Sequence, residues 1–278
     1  MPVCFFASDL HGRSDRYDKL TEAVAREGPA AVFLGGDLLP HPMTSPDFLD
    51  HVLVPRLEQM RARLGSGYPR VFVILGNDDA RTEEETVLDA ERRGVWEYAH
   101  DRRIAWESWD VFGYACVPPT PFRLKDWERY DVSRQLEPGC IAPEEGWHTV
   151  PVPELERQGT IREDLERLAG GAPLDRAVFL FHAPPYATSL DRAALDGRSV
   201  EHAPLDVHVG SIAVRRFIAA RQPLLTLHGH VHESARLTGC WSQRIGRTYA
   251  FSAAHDGPEL ALIRFDPEDL SHATRELL

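Results

Sequence analysis

Apolar residues along the chain fall into short continuous runs: VCFFAS (3–8), AAVFLG (30–35), RVFVIL (70–75), AVFLF (177–181) and PLLTL (223–227). Continuous apolarity over so few residues predicts strands covered on both faces, because neither side of the pleat then meets water. Between the runs the pattern turns helical. Thr82 and Glu85 have capping-box spacing ahead of a segment that closes on Arg92, Arg93 and Gly94. Thr160 and Glu163 repeat the device, with Ile161, Leu165 and Leu168 sharing one face. Ser211 is placed to cap a helix that has to stop before Pro223. Strands alternating with helices predict an α/β fold. Near the C-terminus RTYAFSA and ELALIRFD alternate more clearly and predict antiparallel strands of a second sheet.

Residues 118–153 break this rhythm. They hold seven of the 21 prolines together with Trp127 and Trp147, a density that excludes a regular helix or a central strand. The segment reads as an irregular insertion within a single domain spanning 1–278, and its aromatic content favours a packed lid over a loose linker. Phe122, Arg123 and Lys125 in it are candidates to approach a substrate.

Composition narrows the function. A chain of 278 residues, 43% apolar, can bury a sizeable core. Its formal charge of −12 argues against a binder of phosphate backbones, whose affinity comes mainly from Lys and Arg. Cys4, Cys116, Cys140 and Cys240 lie far apart, which suits reduced thiols rather than a zinc ribbon or a disulfide framework. No signal-like stretch opens the chain and no run has the length of a membrane span, so a soluble cytoplasmic protein is expected.

Chemistry collects where the apolar runs end. The first leads into Asp9 and His11, the second into Gly36 and Asp37, and the third into Asn77, Asp78 and Asp79. The fourth ends at His182 and the fifth at His228, His230 and His232. Ligands of α/β sheets bind beyond the carboxyl ends of strands, so residues scattered over most of the chain should converge in one crevice. Imidazole nitrogens with carboxylate and amide oxygens, and no thiolate, suit Mn, Fe or Zn. The donors exceed what one tetrahedral site needs, which points to two metals sharing a carboxylate.

In order, SDLHG, GGDLL, GNDD, FHAPP and HGHVH resemble the motif series of the calcineurin-like metallophosphoesterases. The resemblance implies a four-layer α/β/β/α sandwich and a two-metal clamp, with ions about 3.5 Å apart, acting on a phosphate ester. Carried over by position, Asp9, His11, Asp37 and His232 would hold one metal. Asn77, His182 and His230 would hold the other, with Asp37 bridging.

Two positions depart from the family pattern. Asp78 stands where the family has a His that protonates the leaving group, and Asp79 matches an acid that often partners that His. Asp78 could act as an acid only if its pKa were raised by burial or by the like charge of Asp79, against the pull of two metals. Mostly ionised, it would favour esters with good leaving groups. His208 and His255 are alternative donors, His228 is expected to support the site, and Pro40 replaces a polar residue of the second motif. The expected activity is hydrolysis of a small-molecule phosphate ester, with diesters slightly ahead because an acidic surface repels highly charged monoesters. The alternatives are a nuclease of the same fold and a metal-stabilised binding module in which catalysis has decayed.

Overall fold

The computed structural model describes residues 3–41 and 47–278. In chain order its strands are β1 Cys4–Ala7, β2 Ala31–Gly35, β3 Arg70–Ile74, β4 Glu97–Tyr98, β5 Arg102–Trp106, β6 Trp109–Tyr114 and β7 Ala177–Phe181. They continue with β8 Ser199–Val200, β9 Ala203–Pro204, β10 Leu225–His228, β11 Ser242–Ile245, β12 Thr248–Ser252, β13 Ala261–Asp266 and β14 Asp269–Leu277. The helices are α1 Ser14–Glu27, α2 Val54–Leu64, α3 Glu84–Arg92, α4 Glu154–Arg157, α5 Ile161–Ala169, α6 Ile212–Arg221 and α7 Ser234–Thr238.

The five apolar runs become β1, β2, β3, β7 and β10, and apart from Arg70 every residue in these strands is buried. One six-stranded sheet has the order β14-β13-β1-β2-β3-β4, the other β11-β12-β10-β7-β6-β5. β1 to β4 run parallel, as do β6, β7, β10 and β12, while β5, β11, β13 and β14 are antiparallel additions. The sheets stack through aromatic side chains. Phe33 and Phe72 lie 5.8 Å and 6.0 Å from Trp106, and Phe251 lies 6.3 Å from Phe265. On the outer face of the second sheet Phe179 meets Phe217 of α6 at 5.1 Å. α1 turns Tyr17, Leu20, Ala23 and Val24 into the core of the first sheet's side. The result is the α/β/β/α sandwich that the resemblance implied.

Three local expectations change. The helix-start device at Thr160 forms as a full capping box and Ser211 accepts from Val214 N–H, but Thr82 caps nothing. The Arg81 and Thr82 N–H groups are taken by Asp126 and Thr149 of the insertion, and the chain makes a 3₁₀ turn over Arg81–Glu83 before α3 begins at Glu84. RTYAFSA, expected to be antiparallel, forms β12, which is antiparallel to β11 as expected but parallel to β10 on its other edge, because the β11–β12 hairpin at the sheet edge has already reversed the chain. ELALIRFD forms β13, antiparallel to β1, but in the first sheet rather than beside β12.

Residues 115–153, all described, contain isolated bridges but no helix or strand. Proline excludes extended ladders there, and single backbone bonds such as Val117 N–H to the Trp127 carbonyl and Lys125 N–H to the Trp147 carbonyl, joined by side-chain acceptors such as Glu128 on Thr120 N–H, satisfy the backbone in their place. Lys125 was a candidate to reach a substrate, but it is buried, with Nζ 2.5 Å from the Glu128 carboxylate and 2.9 Å from the Thr120 carbonyl. Asp131 accepts from Ser211 Oγ and from the N–H groups of Ile212 and Ala213, which pins the segment to the start of α6.

Candidate metal centre

The loops after β1, β2, β3, β7 and β10 meet along the seam between the two sheets. Asp9 N–H donates to the Gly36 carbonyl at 2.9 Å, Gly229 N–H to the His182 carbonyl at 3.0 Å, and His230 N–H to the Asp9 carboxylate at 2.9 Å. Asp9, His11, Asp37 and His230 all have left-handed backbone, with φ of 57°, 48°, 50° and 74°. Asp and His are among the few side chains that tolerate this region, and strain of this kind collects where a structure over-determines a functional loop. Two glycines permit the crowding. A Cβ on Gly76 would collide with Asp37, and one on Gly229 would lie 2.7 Å from Asp9 Oδ2.

Asp9, His11, Asp37 and His232 offer one donor atom each, all within 4.8 Å of one another. His11 Nε2 and His232 Nε2 face each other at 3.1 Å, and Asp9 Oδ1 is 3.3 Å from the latter. Two imidazole nitrogens aimed at one point beside carboxylates, with no thiolate, are a donor set that fits a divalent transition ion. Beside them His182 Nε2 lies 3.0 Å from Asn77 Oδ1 and 3.2 Å from Asp37 Oδ2, and the His230 ring is 5.3 Å from that of His182. The Gly35 carbonyl, 2.8 Å from His182 Nδ1, selects the tautomer that leaves Nε2 facing Asn77 and Asp37.

Electrostatics report the same demand for positive charge. Burial alone would raise Asp9, but the hydrogen bond to His232 and the charges of His232, His182 and His11 hold it far below the carboxylate range. Burial likewise opposes ionisation of Asp37, yet His182 and His11 bring it down to about 2. Against their own burial, His182 is raised to about 10, chiefly by Asp37, and His232 to about 9 by Asp9. His230 goes the other way, to about 3, through burial and then the neighbouring His182.

The two acids after Asn77 do different work. Asp78 Oδ1 accepts from the Asn77 amide nitrogen at 3.0 Å, which turns the amide oxygen toward His182. Burial and then the charge of Asp37 push Asp78 upward, so the like charge comes from Asp37 and not, as expected, from Asp79. Asp79 is fully buried beneath the crevice, where it accepts from the N–H groups of Leu38, Leu39 and Gly76 and so ties the β2 and β3 loops together. Burial and Asp37 raise it to about 8.

The structure thus brings all seven expected ligands together. His228 is a buried brace, stacked on Phe181 and bonded to the Ala183 carbonyl and Thr226 Oγ1. His255, after β12, is tied by Nε2 to Glu259 at 2.9 Å, and His208 by Nδ1 to the fully buried Asp191 at 2.8 Å. Sequence reasoning missed several supports. Ser8 Oγ donates to Asp9 Oδ2 at 2.5 Å, Arg16 joins the carbonyls of Asp9 and Gly257, and Trp127 Nε1 donates to the Asp79 carbonyl at 2.9 Å. Only Ser8 had a signal, its place beside a ligand.

No curated protein matches the chain in sequence. Solved structures of similar fold include TT1561 of Thermus thermophilus, 17% identical, with a TM-score of 0.59 over 99% of this chain and 98% of that one. Another is a dimetal phosphatase from Danio rerio, 14% identical, with a TM-score of 0.54 over 95% and 91% of the two chains. Residues 4–234, which take in every loop that meets at this centre, match the family model of the calcineurin-like phosphoesterases, and the chain belongs to that family.

Proposed function

We propose that the protein hydrolyses a small-molecule phosphate ester, diesters ahead of monoesters, at a dinuclear centre of divalent or mixed-valence Mn, Fe or Zn. The observation that carries this reading is the placement of Asp37. Its Oδ2 lies 3.2 Å from His182 Nε2 and 4.0 Å from His11 Nε2, so one carboxylate faces both donor groups. Asp9, His11, Asp37 and His232 would hold one ion, and Asn77, His182 and His230 the second. Ions held there lower the pKa of a water toward neutrality and neutralise charge on phosphoryl oxygens. The chain's own part is orientation. Asp78 turns Asn77, the Gly35 carbonyl fixes His182, and Asp79 locks the loops that carry Asp37 and Asn77. Asn77 ligates without adding a negative charge, which leaves the centre able to accept an anionic ester. The acidic surface, −12 overall, disfavours dianionic monoesters at long range.

The test is hydrolysis of bis-p-nitrophenyl phosphate and p-nitrophenyl phosphate by metal-stripped protein with Mn²⁺, Fe²⁺ or Zn²⁺ restored. Metal-dependent turnover, faster on the diester and reduced more than roughly a hundredfold by Asp37→Ala, is expected, since even outer partners of metal ligands are worth 10–100-fold. Tightly bound ions without turnover would replace this reading with that of a metal-stabilised binding module.

A further inference from the structure

Asp78, at the family's donor position, is engaged with the Asn77 amide, which leaves the departing ester oxygen without an assigned source of its proton. The loop between β7 and α6 carries a second, separately built acid–imidazole pair. This loop starts directly after the ligand His182, and its two ends are clasped together, Ser211 N–H donating to the Pro184 carbonyl and Tyr186 N–H to the Ser211 carbonyl. Midway, Ala194 N–H donates to the carboxylate of Glu233, the residue after the ligand His232. The loop is therefore anchored in sequence or by hydrogen bond next to a proposed ligand of each donor group, His182 and His232. Within it Asp191 is fully buried and accepts from the N–H groups of Ala187, Thr188 and Gly210. So many fixed donors hold the carboxylate in place. Its Oδ1 sits 2.8 Å from His208 Nδ1, while the His208 side chain keeps 32% of its surface exposed. Asp206 takes the His208 N–H and the Tyr186 hydroxyl, and Arg192 pairs with Asp196, so neither competes for the imidazole. Among the described residues no hydrogen bond is made by His208 Nε2.

A buried carboxylate on one imidazole nitrogen, with the other nitrogen open, is how a chain orients a histidine for proton transfer. We propose that His208, positioned by Asp191, donates the proton to the leaving oxygen of the ester. This rests on the phosphoesterase reading. As the bond from phosphorus to the attacking water oxygen forms, the bond to the ester oxygen breaks and that oxygen takes the proton from His208 Nε2. The second water proton passes to solvent, and solvent reprotonates the imidazole.

The experiment compares aryl methyl phosphodiesters that release 4-nitrophenol or phenol, hydrolysed by the Mn²⁺-loaded wild type, His208→Asn and Asp191→Asn. A general acid is worth roughly 10²–10⁴ where the leaving group needs the proton. His208→Asn should therefore lose about a hundredfold on the phenol ester and less than about threefold on the nitrophenol ester, with an unchanged melting temperature. Asp191→Asn should show the same split to a smaller degree. Equal losses on both esters, or none, overturn the proposal while leaving the phosphoesterase reading intact. Absence of metal-dependent turnover in the wild type overturns both.

Discussion

Single residues at the centre are chosen for what they leave out as much as for what they supply. Gly76 has no Cβ because Asp37 occupies that space, so the ligand carboxylate and the β3 loop can touch. Gly76→Ala should push Asp37 off its position between the two donor groups. Isothermal titration with Mn²⁺ is expected to show affinity weakened by roughly 10–100-fold, the range found when the surroundings of metal ligands are disturbed. Unaltered affinity would mean that the loop relaxes freely. The residues that gather at the centre were legible in the sequence, because each follows an apolar run and the motifs come in order. Asp78 was legible only as a departure. That it holds the Asn77 amide follows from a rotamer, which no spacing encodes.

At the scale of elements, the insertion acts as a brace on the metal loops. Trp127 is buried and its indole N–H reaches the Asp79 carbonyl, while Asp79 in turn grips the β2 loop. Trp127→Phe would leave that carbonyl buried without a partner, at a cost of about 1–3 kcal/mol. Thermal melting should fall by roughly 2–10 °C, and retention of metal through gel filtration should fall with it. A melting point within a degree of wild type would show that the brace carries nothing. Asp131 is the second bolt, since it satisfies two N–H groups and a hydroxyl at the start of α6. Asp131→Ala is expected to cost about 1–2 kcal/mol, the upper range for a lost helix cap, read as a lower urea midpoint at constant slope. The proline content of this segment announced its irregularity, but not what it grips, because its partners lie tens of residues away in sequence.

For the molecule as a whole, acid stability provides a test away from the metals. His100 sits among the rings of Tyr98, Tyr114 and Trp127 and accepts from Ala115 N–H, and burial, then the nearby arginines 81, 129 and 167, hold it down at about 3. Its folded pKa lies below the unfolded value of about 6.5, so its contribution is complete above that pH and is lost as pH falls toward 3. By about pH 5 the loss should reach about 2 kcal/mol. Urea unfolding at about pH 7 and about pH 5 checks this: His100→Gln should flatten the difference, and an equal slope in both proteins would refute the assignment. The chain's own pattern determined the strands of the parallel core, the α/β class and which polar residues close the apolar runs, because continuous apolarity and the residues that follow it are local properties. Only the tertiary structure decided which sheet each C-terminal strand joins, that Asp79 is a brace, that Lys125 is buried, and that Asp191 stands beneath His208. Those outcomes depend on which distant backbone groups need partners once two sheets are pressed together, and that is a property of packing.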